Sequence, residues 1–152
     1  MKVHSLTAAR VLLTAIAVVG LGVDAYVHLD LAPTYDAIKT STLSQGELFR
    51  AEAVVSIVAA IAIAIRPRRY TALLAFIVAA SALAVLLIYR YVDVQAIGPI
   101  PSMYEPSWYP EKACAGYAEG IAAAASATLL AVHYLTLRPA QPEFTPAEQI
   151  RR

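Results

Sequence analysis

Four long apolar runs, separated by short polar connections, organise this chain. They are carried by "VLLTAIAVVGLGV", "AVVSIVAAIAIAI", "LLAFIVAASALAVLLIY" and "GIAAAASATLLAV". Spans are expected at about 8–28, 47–65, 70–90 and 113–137. Each is near the roughly 20 residues a helix needs to cross about 30 Å of hydrocarbon. Backbone groups in lipid must find partners within their own segment, so these runs predict helices rather than strands. The fold class expected is all-α, an integral membrane four-helix bundle. Outer loops are expected at 29–46 and 91–112, and a tail at 139–152. Val23-Asp24-Ala25 loosely resembles a leader-peptide cleavage site, but the apolar stretch around it is long and reads as a retained span.

Composition agrees with the pattern. Of 152 residues, 59% are hydrophobic, against the 45–50% common in soluble domains. The single cysteine, Cys114, excludes an internal disulfide and any two-cysteine zinc or redox motif. The formal net charge is +1, with no basic arm, and this points away from nucleic acid.

Charge adds a direction. Lys2, Arg10, Arg66, Arg68, Arg69, Arg138, Arg151 and Arg152, eight of the twelve basic residues, fall at one end of the expected bundle. The positive-inside rule then predicts that both termini are cytoplasmic and the two longer loops lie outside. Nine of the eleven acids gather toward that outer half, leaving only Glu143 and Glu148 inside. The expected location is a bacterial plasma membrane, with the bilayer as first partner.

Three of the acids sit inside the spans. Asp24 and His28 are four apart and share a helix face. Ser44 and Glu47 have the spacing of a capping box, which starts the second helix and buries Glu52 two turns in. Glu119 lies early in the fourth run. At about 1.5 Å per residue, Asp24, Glu52 and Glu119 all lie roughly 7–12 Å below the outer edge. Charge within a bilayer is costly and marks ion, proton or substrate sites. Gly116 and Gly120 form a GxxxG pair around Glu119, and Gly20 and Gly22 flank Asp24, so close helix approach is expected at both. Arg50 either joins these acids or extends outward to the headgroups. Tyr117 and Cys114 read as packing residues.

Asp24, His28, Glu52 and Glu119 are therefore the candidate ligand-binding residues and the candidate metal ligands, and a divalent zinc, iron or manganese would suit them. No cofactor is named by the pattern. His28 and His133 lie a membrane thickness apart and cannot share a haem. Above the acids runs "GPIPSMYEPSWYPEK", residues 98–112. Its prolines exclude a long helix. Tyr104 and Trp108 extend the candidate binding set, and the stretch reads either as an interfacial anchor or as a stiff lid over a pocket.

At "HLDLAPTYDAI" and "LSQGELFRAEAVVSIVAA" the chain resembles a broad group of small four-span bacterial membrane proteins, common in actinobacteria and lacking an assigned activity. The resemblance rests on His28, a tyrosine-containing loop, Gly46-Glu47-Leu48-Phe49 and an acid matching Glu119. The layout is similar to DoxX-like proteins, some of which are membrane partners of oxidoreductases. It implies the topology more than an activity.

Three functions follow as expectations. The first is an outward-facing acidic and histidine pocket that binds a small apolar ligand, proton or cation under the loop. The second is an acid–base enzyme on an isoprenoid or lipid-like substrate, with Glu119 or Glu52 as proton donor and His28 as the orienting group. The third is an accessory subunit of a larger membrane complex or a homo-oligomer.

Overall fold

The computed structural model describes residues 2–137, so the expected 139–152 tail, with Arg138, Arg151, Arg152, Glu143 and Glu148, lies outside the described residues. Four helices follow one another: α1 (Lys2–Leu31), α2 (Gln45–Ile65), α3 (Arg69–Tyr91) and α4 (Pro110–Leu137), with a 3-10 turn at Ala32–Tyr35. No strand occurs among the described residues, which hold only two isolated bridges, Lys39 with Ser44 and Ile97 with Ile100. All four helices are long and apolar enough to cross a membrane.

Local chemistry sets the helix ends. Ser44 caps α2 through the predicted box: its Oγ accepts from Glu47 N at 3.0 Å, and Glu47 Oε2 accepts from Ser44 N at 2.7 Å. Only Arg66, Pro67 and Arg68 separate α2 from α3, so the two run antiparallel as neighbours. Helix α4 begins three residues before the predicted start because Pro110 needs no backbone partner in a first turn and its φ is already helical. Ala113 N then closes the first turn on Tyr109 O at 3.0 Å. A tight turn at Ile97–Ile100 puts Gly98 at φ +58, a conformation costly for other residues, and Pro99 fixes the next position.

Each helix neighbours the next around a ring, α4 returning to α1, and α2 and α3 are the most sparsely packed neighbours. The end carrying the chain termini is filled mainly by alanine, with Ile63, Leu129 and Leu21 as its largest buried side chains. Small residues let the backbones approach, which is how helices associate without a hydrophobic driving force between them. One such close approach is at Gly20 of α1. A Cβ there would come within 2.9 Å of both Ala118 O and Ala122 Cβ of α4. The other predicted glycines behave differently. Gly22 faces open space, and a Cβ on Gly116 or Gly120 would meet only Leu86 or Leu83 at ordinary distances of 3.7 and 3.9 Å. Of these four glycines, only Gly20 is pressed against the backbone of a neighbouring helix, and it marks the close α1–α4 crossing.

Candidate functional site

One turn beyond Gly20, the same crossing presses Asp24 against Glu119, and each is only 1% exposed. His28, on the next turn of α1, completes a group whose nitrogen and carboxylate oxygens all lie within 4.8 Å of one another. Its Nδ1 stands 2.9 Å from Asp24 Oδ1 and 3.0 Å from the Asp24 carbonyl oxygen. The ring meets Phe49 of α2 edge-on, centroids 5.1 Å apart.

Glu52 joins the group through a residue the sequence reading did not single out. Ser56, fully buried on α2, donates to Asp24 Oδ2 at 2.6 Å, and its Oγ lies 3.2 Å from Glu52 Oε1. A hydroxyl has one proton, so the shorter contact to Asp24 takes it. The signal for Ser56 was present, four residues after Glu52 and therefore on the same face. What the sequence lacked was the rotation of α2 that turns this face toward α1. All four predicted polar residues of the spans thus converge.

Of the buried oxygens in the group, Glu119 Oε2 has no hydrogen-bond partner, and Asp24 Oδ1 has only the His28 nitrogen beside it. One imidazole nitrogen with carboxylate oxygens is a donor set suited to zinc, iron or manganese. Coordination through His28 Nδ1 would break that atom's bond to the Asp24 carbonyl, so a metal at this nitrogen would compete with the helix.

Toward the loop-bearing end the helices enclose a cavity of about 460 Å³. His28 and Glu52 reach its wall, while Asp24 and Glu119 lie behind them. Leu48, Val55, Val85 and Leu86 supply much of the remaining surface. The 98–112 loop forms the roof through Ile100, Met103, Glu105 and Tyr109. Several bonds hold it down: Tyr35 Oη to Tyr109 Oη at 2.7 Å, Thr40 Oγ1 to Pro99 O at 2.8 Å, and Glu105 N to Tyr89 O at 3.0 Å. Burial, then the bond to Tyr35, pushes the Tyr109 hydroxyl well up, so it stays protonated and the clasp stays made. Glu105 is held below the usual carboxylate range by the Ser107 backbone N–H and by the nearby charges of Lys112 and Arg90.

The two predicted aromatics of that loop stand elsewhere. Tyr104 and Trp108 are exposed, and neither lines the cavity. Trp108 is bracketed by cations instead, with Arg90 at 5.5 Å and Lys112 at 5.9 Å from its ring. The loop is thus a lid along one edge and carries its large aromatics on the outside. Tyr117 and Cys114 are likewise exposed on the outer surface of α4 and are not packing residues.

Arg50 leaves the acids alone. Its guanidinium forks onto Asp36, Nη1 to Oδ1 at 2.7 Å and Nη2 to Oδ2 at 2.8 Å. The guanidinium holds the Asp36 carboxyl below its ordinary range. This pair explains Gly46, since any Cβ at that position would overlap Asp36 Oδ1 and the Ala32 carbonyl.

Gln45 and Lys112, also missed from the sequence, line the upper cavity as buried polar residues. Their only signal was position, at the starts of two spans. No family model matches this chain, and no curated protein or solved structure does either, so the likeness to small four-span proteins rests on the residues quoted above.

Proposed function

We propose that this is a four-span integral membrane protein that binds a small ligand in the cavity beneath the 98–112 loop, with His28 and Glu52 as its polar contacts. The observation that carries the reading is the cavity itself. At about 460 Å³ it falls within the usual 300–1,000 Å³ range of ligand pockets, and its apolar walls hold few polar groups. Asp24 holds His28 from behind, itself bonded by Ser56 and with Glu119 beside it. The basic residues at the termini-bearing end support a cytoplasmic position for that end, with the cavity then in the outer half of the bilayer.

A ligand-induced thermal shift on the detergent-purified protein tests this. A membrane-extract fraction that stabilises the wild type is expected to lose its effect on Leu86→Trp, which fills the cavity, and to weaken on Glu52→Gln. An undiminished shift in Leu86→Trp refutes the reading. The shared position of His28 and Glu52 on one wall also favours a second reading, acid–base catalysis on a lipid-like substrate, which turnover of the bound compound would distinguish.

A further inference from the structure

The cavity's walls show where its ligand comes from. Its lining residues on α2 and α3 include Ala51, Val55, Ser81 and Val85, and all four keep much of their surface accessible. Val55 is 46% and Val85 48% exposed. Accessible lining residues on both α2 and α3 mean that the cavity is not sealed, and the sparse packing of these two helices points to a sideways opening between them. The loop closes the end that would face water, through the Tyr35–Tyr109 clasp and the Glu105–Tyr89 bond. In a bilayer such an opening meets acyl chains.

The upper end of the same cavity carries unmet polarity. Lys112 is 8% exposed, lines the cavity and donates to the backbone carbonyl of Glu105. Among the described residues it forms no ion pair. The Glu105 carboxylate is its nearby counter-charge but makes no direct pair with it, so the ammonium can still accept a closer acidic partner. Gln45 is 5% exposed, lines the same end, and its Oε1 is buried without a hydrogen-bond partner. Its amide offers both a donor and an acceptor. Below these groups the α3 side of the wall is apolar through Val85 and Leu86, and α2 adds Leu48 and Val55. The volume is that of about fifteen water-sized groups at roughly 30 Å³ each, which suits one chain rather than two.

We propose that the cavity takes a single-chain acidic amphiphile from the bilayer, which enters between α2 and α3. Its carboxylate or phosphate head lies against Lys112 and Gln45, and its chain lies along Val55 and Val85. This rests on the pocket reading above and names the class of ligand. Glu52 also lines the cavity and repels the head toward the Lys112 corner, where the head competes with Glu105 for the ammonium.

The test uses the full chain in lipid nanodiscs, with empty nanodiscs as the partition control. The probe is a polyene fatty acid of 18 carbons whose emission rises in an apolar site. The wild type is expected to bind it saturably. The matching fatty alcohol should bind at least tenfold more weakly, and Lys112→Met should weaken the acid by a similar factor, with Lys112→Arg restoring it. Val85→Trp, which plugs the opening, should abolish binding. Competition by a lysophosphatidate against competition by free fatty acid decides between a phosphate and a carboxylate head. Equal binding of acid and alcohol, or an unaffected Lys112→Met, overturns the acidic head. Unaltered binding by Val85→Trp overturns the lateral entry. If wild type fails to bind the probe while its extract-induced thermal shift still disappears in Leu86→Trp, this inference fails and the pocket reading stands. If that shift survives Leu86→Trp, the pocket reading falls as well.

Discussion

Ser56 is the hinge pin of the acid group, and removing its hydroxyl is the sharpest test of how that group is held. Ser56→Ala deletes the 2.6 Å bond to Asp24 Oδ2, in a carboxylate whose other oxygen has only His28 Nδ1 beside it. Stripping a buried acceptor of its donor costs about 1–3 kcal/mol in water-soluble proteins. Side-chain hydrogen bonds between membrane helices average only about 0.6 kcal/mol, with a maximum near 1.7, because the unfolded chain in a membrane finds other partners. The acceptor here is a carboxylate and the contact is short, two features of the stronger class of hydrogen bond. The expected loss is therefore near the membrane maximum, about 1.5 kcal/mol, or roughly tenfold in the folding equilibrium. Reversible unfolding in mixed micelles, on Ser56→Ala, Asp24→Asn and the double variant, yields the coupling between the two sites. A coupling within about 0.5 kcal/mol, the additivity error for independent sites, would refute the claim that Ser56 anchors Asp24 across the α1–α2 interface.

Two further expectations concern the loop that enters α2. Gly46→Ala places a Cβ against the Asp36 carboxylate and the Ala32 carbonyl, and the backbone oxygen cannot swing aside. Overpacking of this kind costs about 1–3 kcal/mol, and a lower melting temperature with faster proteolysis between residues 36 and 45 is the expected result. The Asp36 carboxyl is held below its ordinary range by Arg50, so its contribution is complete above the unfolded value near 4 and disappears as pH falls through the folded value. Hydrogen exchange in that loop should accelerate on acidification, and Asp36→Asn should flatten the profile.

The helices were legible because each apolar run is long enough to span a bilayer and charge is pushed to its ends. The start of α2 was legible residue by residue, since Ser44 and Glu47 stand at the fixed spacing of a capping box. The depth of Asp24, Glu52 and Glu119 followed from helical rise. Their convergence did not, because depth says nothing of rotation, and rotation here is set by Gly20 seating against Ala118 and Ala122, nearly one hundred positions away in the chain. The GxxxG pair was misleading for the same reason: Gly116 and Gly120 face the side chains of Leu86 and Leu83 on α3, not the backbone of α1. Arg50 was ambiguous because its partner Asp36 sits across a loop that carries no regular period. Lys112 gave no sign of burial, since a cation at a helix start ordinarily reads as a solvated end.

The bracketing of Trp108 between two cations has a consequence for observation. The chain has one tryptophan, so all indole emission comes from a single ring that rests on the outer side of the roof. The Nζ of Lys112, which also lines the cavity, lies 5.9 Å from that ring's centroid. The colour and intensity of one ultraviolet fluorophore therefore report, without any attached dye, the charge state and position of the group under the lid.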